Sequence, residues 1–100
     1  MPLTGKQRRH LRALGHALDP VLTIGAGGVT DAVVRELQGA LHAHELVKVR
    51  MLRTAPAQRA ETAAELGRRA GAEIAQVLGR TALLFKARLK DPSIKLPPAP

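Results

Sequence analysis

Apolar residues recur at helical spacing near the start of the chain and predict a helix over residues 4–18. At about 100° per residue, one stripe of this helix holds Leu3, Gln7, Leu11, Leu14 and Leu18. The opposite side carries the basic residues Lys6, Arg8, Arg9, Arg12 and His16. Thr4 and Gln7 have the spacing of a capping box, and Gly15 predicts either close packing or a nearby helix end. The first helix is therefore expected to pack through one face and to present a cationic surface on the other.

A short strand, a glycine-rich loop and a second helix follow. The uninterrupted apolar run over residues 21–24 predicts a strand that is covered on both faces. Thr30 is placed to cap the next helix, and Asp31 adds negative charge at its positive end and can pair with Arg35 one turn later. The side of this helix that we expect to be buried holds Val33, Val34, Leu37, Ala40, Leu41 and His44. His44 is accordingly interpreted as a partly buried core histidine.

Residues 45–51 alternate between two faces and predict a half-exposed strand. One face holds Val47, Val49 and Met51, and the other, with two cations, holds Leu46, Lys48 and Arg50. A turn over residues 53–56, with Pro56 at the first helical position, leads into an alanine-rich helix over residues 57–70. The expected packing stripe of that helix is Ala60, Ala63, Ala64, Leu66, Gly67 and Ala70.

The last third of the chain predicts a β-hairpin. Gly71 is expected to cap the third helix, and strands over residues 74–78 and 81–85 are joined by the two-residue turn Gly79-Arg80. The resulting order is α-β-α-β-α-β-β. It predicts an α/β fold, a single domain whose helices pack on a four-stranded mixed sheet. The domain is expected to span residues 1–96, with residues 97–100 as a proline-rich frayed tail.

Charge and composition narrow the classes of function. The 100 residues include 16 Lys and Arg against 8 Asp and Glu, a net charge of +8, and a single aromatic residue, Phe85. The chain has no cysteine, which excludes a disulfide framework and a thiol nucleophile. No apolar run approaches the roughly 20 residues of a membrane span, and no signal-peptide pattern is visible. These features predict a small domain that meets a polyanion and has no membrane partner. We further expect the protein to be cytoplasmic and monomeric.

The loop Gly25-Ala26-Gly27-Gly28 lies between a predicted strand and a predicted helix, where backbone amides can approach an anion closely. A dinucleotide-binding G-x-G-x-x-G motif would need glycine in place of Thr30, and a Walker A loop would need lysine in place of Val29. Both nucleotide-binding motifs are thereby excluded. A G-x-x-G loop of the kind that clamps nucleic-acid backbone in KH-type modules remains. A plain tight turn between strand and helix is the alternative interpretation.

Basic residues also cluster in a second run near the C-terminus. Residues 80–95 contain a single acid, Asp91, and the cations Arg80, Lys86, Arg88, Lys90 and Lys95. Together with the first helix, Lys48 and Arg50, this run favours a nucleic-acid partner over a solvated surface. His42 and His44 point apart on a helix, and no catalytic triad or carboxylate pair is visible. We therefore expect no metal, no cofactor, no small-molecule substrate and no enzymatic activity.

Several segments in combination resemble a known family. They are residues 4–7, 20–21, 24–30, 44–49, 77–81 and 94–97, together with Leu11, His16 and Gly71. This combination resembles the CRM domain in its bacterial single-domain, YhbY-like form. The resemblance implies a fold similar to the C-terminal domain of translation initiation factor 3, and RNA binding. It also implies association with precursors of the large ribosomal subunit. The G-x-x-G loop of the family corresponds to residues 25–28, and its basic strand to Lys48 and Arg50.

The loop and the basic residues predict a protein that grips phosphate backbone, and the resemblance further implies an RNA-binding assembly factor that acts on ribosomal RNA. The loop residues Gly25, Ala26, Gly27 and Gly28, followed by the helix that Thr30 caps, are expected to hold a phosphate. The cations expected to contact further phosphates are Lys6, Arg9, Arg12, Lys48, Arg50, Arg80 and Lys86. With one aromatic residue, recognition should depend on shape and backbone rather than base stacking. The alternatives are a protein-interaction module that docks an acidic partner, and DNA binding.

Overall fold

Three helices and four strands follow one another in the predicted order. A computed structural model describes residues 3–52 and 54–98. Its helices are α1 (Gly5–Gly15), α2 (Asp31–His44) and α3 (Arg59–Ala70), and a 3-10 turn over Pro56–Gln58 precedes α3. Its strands are β1 (Leu22–Ile24), β2 (Leu46–Met51), β3 (Glu73–Leu78) and β4 (Thr81–Phe85). Arg53, the first residue of the predicted turn before α3, lies outside the described residues.

The four strands form one mixed sheet, as predicted, and their order in it is β1-β2-β4-β3. β1 pairs with β2 in parallel, because α2 carries the chain back between them, and β4 is antiparallel to both of its neighbours. The predicted two-residue turn joins β3 to β4, and Gly79 adopts the positive φ of 56° that this turn requires. β1 and β3 are consequently the two edges of the sheet.

Alternation along the strands divides the core into two layers. On one face, α2 and α3 cover the inward residues of the sheet, among them Ile24, Val49 and Leu84. On the other face, α1 and the segment after β4 cover a smaller cluster that includes Leu46, Leu83 and the single aromatic, Phe85. The helices therefore lie on both faces of the sheet, and the face under α1 is only partly covered.

The start of α1 follows from local chemistry, whereas its end lies against the sheet. Thr4 and Gln7 form the predicted capping box, in which each side chain bonds the other's backbone amide at 3.1 and 3.0 Å. The helix ends at Gly15, three residues before the predicted end. A Cβ at Gly15 would lie 2.6 Å from Cδ2 of Leu83, so any side chain there would force the buried Leu83 side chain to move.

Four predictions about burial are wrong, each because of where an element lies relative to the sheet. In α1, Leu14 of the expected packing stripe is exposed, because it lies at the groove beside β2 rather than over the core. β1 is covered on one face only, since it is an edge strand beyond the reach of α1, and Val21 and Thr23 are exposed. His44 is exposed, since α2 extends beyond the core at its last turn. In α3, which begins two residues later than predicted, Ala63, Leu66, Gly67 and Ala70 are buried, whereas Ala60 and Ala64 are exposed.

A buried carboxylate joins α2 to the end of the chain. Glu45 follows α2 with a φ of 62° and is fully buried. Its Oε1 accepts hydrogen bonds from the Ser93 amide and hydroxyl and from the Ile94 amide, and its Oε2 accepts one from the Arg88 amide. Burial by itself raises the pKa of this carboxyl, but the four hydrogen bonds outweigh it and lower the pKa to about 2.

This contact holds the C-terminal segment against the sheet. Ile94 and Leu96 pack into the cluster under α1, and Nε2 of Gln7 donates to the carbonyl oxygen of Pro97 at 2.9 Å. The segment after β4 is thus part of the fold as far as Pro97. Residues 99 and 100 of the predicted tail lie outside the described residues.

Candidate nucleic-acid interface

The glycine loop lies at one end of the sheet, together with parts of two other elements. It follows the last residue of β1, whose carbonyl oxygen accepts a hydrogen bond from the Leu52 amide at 2.9 Å. The Met51 amide in turn donates to the carbonyl oxygen of Arg80, in the β3–β4 turn. We call this the loop end of the sheet: residues 25–28, Arg50 and the Gly79-Arg80 turn. The opposite end, where Glu45, Phe85 and Lys86 meet, is the far end.

The three glycines of the loop have different structural roles. Gly28 has a φ of +72°, which residues with a side chain rarely adopt, and its amide closes a turn onto the carbonyl oxygen of Gly25 at 3.1 Å. A Cβ at Gly25 would meet nothing within 4 Å, and one at Gly27 would make only ordinary contact with Thr30. The turn therefore explains Gly28 but does not explain Gly25 or Gly27. Glycine at those two positions instead leaves the backbone open to close approach by another molecule.

Only some of the backbone amides of the loop donate hydrogen bonds within the protein. Those of Gly28 and Thr30 donate to the carbonyl oxygens of Gly25 and Gly28. Within the described ranges, we find no acceptor for the amides of Ala26 and Gly27. Thr30 caps α2 as predicted, its hydroxyl accepting from the Val33 amide at 3.2 Å. The free amides next to the positive end of α2 can donate hydrogen bonds to the oxygens of an anion.

Arg69 of α3 fixes the junction between the loop and α2. Its Nη1 donates to the carbonyl oxygen of Val29 at 2.7 Å, and its Nη2 pairs with Asp31. The predicted pair of Asp31 with Arg35 is therefore replaced by a pair with Arg69, 38 residues away in the chain. Residue spacing in the sequence does not identify Arg69, because its partners lie outside α3 and no motif marks it. Arg69 also partly neutralises an acid that would repel an anion at the loop.

Two of the predicted cations line the open part of the sheet beside the loop. Lys48 and Arg50 lie on the face that α1 covers elsewhere, and Arg50 is in register with exposed Thr23 of β1 and with Thr81 of β4. Arg50 is exposed and Lys48 is half-buried. Lys48 also lines an apolar groove of about 480 Å³ between α1 and β2, which His44 and Val21 border. The open sheet and the loop thus form one surface.

The remaining cations are distributed over three places. Arg80 is exposed in its turn at the loop end. Lys6 and Arg9 are exposed on α1 and Arg12 is half-buried there, on the same face of the sheet as Lys48 and Arg50. Lys86 lies at the far end, where its amide donates to the carbonyl oxygen of Glu45. The structure therefore brings the loop, Arg50 and Arg80 together and separates Lys86 from them.

None of these cations is neutralised by a neighbouring acid. Within residues 3–52 and 54–98, the ion pairs are those that Arg69 makes with Asp31 and Glu65. The candidate cations are consequently available to an external anion. Over the same ranges, no group of three His, Asp or Glu residues is arranged to bind a metal ion. None of the described helices is long and apolar enough to cross a bilayer.

Comparison with known proteins identifies the family. The sequence model of the CRS1/YhbY (CRM) domain matches residues 3–86. The chain belongs to this family. This confirms the resemblance found in the sequence. The matched residues include every helix and strand described above.

Individual relatives agree with this assignment along most of the chain. YqeI, a probable RNA-binding protein of Bacillus subtilis (strain 168), is 36% identical over 95 residues, which are 95% of this chain and 99% of YqeI. PA4753, a probable RNA-binding protein of Pseudomonas aeruginosa, is 33% identical over 90 residues, covering 90% of this chain and 86% of PA4753. The solution structure of SAV1595 from Staphylococcus aureus, a candidate RNA-binding protein, matches with a TM-score of 0.85 at 34% identity. This match covers 95% of this chain and 99% of SAV1595.

Proposed function

We propose that this CRM domain binds structured RNA by its phosphate backbone, with the loop end as the primary contact. The observation that carries the proposal is the combination of free amides at Ala26 and Gly27 with the unpaired cations Arg50 and Arg80 beside them. Free amides and cations are the groups that hold phosphate oxygens. The relatives named as probable RNA-binding proteins support RNA as the ligand.

Base stacking contributes little to this binding. Phe85 is the single aromatic residue of the chain, and it is buried beneath α1 with 4% of its surface exposed. No aromatic ring is therefore available as a platform for unpaired bases. Recognition rests on the shape of the RNA and on contacts with phosphate, so affinity should fall steeply with salt and depend weakly on sequence.

The physiological RNA in this proposal is ribosomal RNA in precursors of the large ribosomal subunit. The CRM resemblance supports this choice. In this role the protein is a monomeric assembly factor in the cytoplasm, with no catalytic step. Cross-linking in cells followed by sequencing of the bound RNA tests it, and recovery of mainly messenger or transfer RNA contradicts it.

The loop is tested by the substitution Gly27→Asp. Position 27 has ordinary backbone angles and open surroundings, so the variant should fold normally while an added negative charge repels phosphate. We expect affinity for large-subunit ribosomal RNA fragments to fall by about tenfold or more. Filter binding at fixed salt is the measurement.

Gly39→Asp supplies the matched control. Gly39 also has open surroundings but lies on α2, away from the loop, so this variant adds the same charge elsewhere and should bind RNA nearly as the wild type does. Equal losses in the two variants would contradict a specific role for the loop. A pull-down partner that resists nuclease would favour a protein ligand, and equal competition by duplex DNA would argue against RNA.

A further inference from the structure

A second basic pocket lies at the far end of the molecule. It has a volume of about 330 Å³ and lies between the last turns of α2 and the segment after β4. Lys86, Lys90 and His42 line it, and no acidic residue does. Both lysines are exposed, and within the described residues neither is paired with a carboxylate. The pocket thus combines an accessible volume with uncompensated positive charge.

Arg88 holds this segment in place. Its guanidinium donates to the carbonyl oxygens of His42, Ala43 and Asp91 at 3.1, 3.2 and 3.1 Å. Its backbone amide is one of the donors to buried Glu45. Because Arg88 satisfies the carbonyl groups at the end of α2, the ammonium groups of Lys86 and Lys90 are not needed for that purpose. The two lysines are therefore presented on an ordered backbone, which lowers the entropic cost of binding an anion.

The far-end pocket and the glycine loop lie at opposite ends of α2. The helix has 14 residues, so its two ends are about 20 Å apart. The exposed side of α2 between them carries the acidic residue Glu36 as well as Arg35, so no uninterrupted cationic path follows this helix. The two sites are consequently suited to separate stretches of polyanion.

We propose that the far-end pocket is a second phosphate-binding surface, and that the domain bridges two RNA segments. This inference rests on the proposed function, since it takes RNA as the ligand at both ends. Lys86 and Lys90 neutralise phosphates of the second segment. Leu89, whose side chain is fully exposed between them, offers apolar contact to a ribose or base. The protein in this view holds two parts of a folding RNA together.

A bridging assay with two short RNA hairpins tests the proposal. One hairpin carries a donor fluorophore and the other an acceptor, and the full-length wild-type protein should produce energy transfer between them at low salt. Native mass spectrometry should show two RNA molecules on one protein. The double variant K86E/K90E should lose the energy transfer and bind its second RNA at least about tenfold more weakly. It should retain the first RNA within about twofold.

The control variant R35E/R68E makes the same change of net charge on exposed parts of α2 and α3, and should retain energy transfer. The proposal is overturned by a wild type that binds one RNA only, by bridging that survives K86E/K90E, or by equal losses in the control. It is also overturned if sedimentation shows that a protein dimer brings the RNAs together. In each of these cases the first RNA is still bound, so the proposed function stands. A wild type that binds neither hairpin contradicts both.

Discussion

Two groups of backbone amides lie at opposite ends of α2 and differ in what they face. At the far end, the amides of Arg88, Ser93 and Ile94 converge on the carboxylate of Glu45. At the loop end, the amides of Ala26 and Gly27 face no acceptor within the described residues. At the far end the protein's own carboxylate is the anion that the amides bind, whereas at the loop end the amides are open to an external anion. The Glu45 site is thereby an internal example of the anion binding that we propose for the loop.

The largest expected effect on stability comes from changing Glu45, the carboxylate that the far-end amides bind. In Glu45→Gln the side chain keeps its size but loses its charge, and a buried NH₂ group replaces one of the oxygens that accept from the amides. Loss of these charge-assisted hydrogen bonds should lower the free energy of unfolding by about 3 kcal/mol. Urea denaturation at neutral pH measures this. A loss below about 0.5 kcal/mol would contradict the interpretation of Glu45 as a bound anion that stabilises the fold.

The pH dependence of stability provides an internal control for that variant. The pKa of Glu45 is lowered from its ordinary value of 4.5 to about 2, so the folded state favours the ionised carboxylate. Its contribution is fully present above pH 4.5 and is lost as the pH falls toward 2. Wild type and Glu45→Gln should therefore converge in stability over this range. A difference that is independent of pH would assign the loss to packing rather than charge.

A smaller effect separates the glycines of the open loop. Gly28→Ala should lower the free energy of unfolding by about 1 kcal/mol, because alanine is strained at a φ of +72°. Gly25→Ala has no such strain and should leave stability nearly unchanged while weakening RNA binding, since a methyl group obstructs close approach to the backbone. Thermal unfolding and filter binding of both variants check this. An unstable Gly25→Ala protein would show that the loop serves the fold rather than a ligand.

The smallest expected effect concerns how the loop is positioned. Arg69→Ala removes the hydrogen bond to the carbonyl oxygen of Val29 and the pair with Asp31, both of which hold the loop against α3. RNA affinity should fall about threefold, with less than about 1 kcal/mol of lost stability. Arg68→Ala, which removes an exposed neighbouring charge, is the control. Arg69→Lys restores the charge but not the forked geometry, and should recover only part of the affinity.

Local signals in the sequence predicted the elements and several of their ends. The capping box of Thr4, the left-handed cap at Gly71 and the turn at Gly79 each depend on residues a few positions apart, so spacing reveals them. The order of elements and the class of the sheet followed from these signals. The location of the glycine loop between a strand and a capped helix followed in the same way.

The contacts that hold the site together were not predictable in this way. Glu45 meets partners 43 to 49 residues away, and Arg69 meets partners 38 to 40 residues away. Periodicity reports which face of an element is apolar, but it does not show where that element ends relative to its neighbours. The exposure of His44 and the separation of Lys86 from the loop depend on that information. A basic composition alone could not distinguish one cationic surface from two.

The edges of the sheet have a consequence for self-association. β1 has three residues, preceded by Pro20 and followed by the glycine loop, so it presents little backbone to a strand from another chain. β3, the other edge, has an irregular register between Ile74 and Gln76 that interrupts its row of hydrogen-bonding groups. Neither edge is a good template for strand addition. The sheet can therefore remain at four strands even when a polyanion crowds many copies of the protein together and neutralises the charge that would otherwise keep them apart.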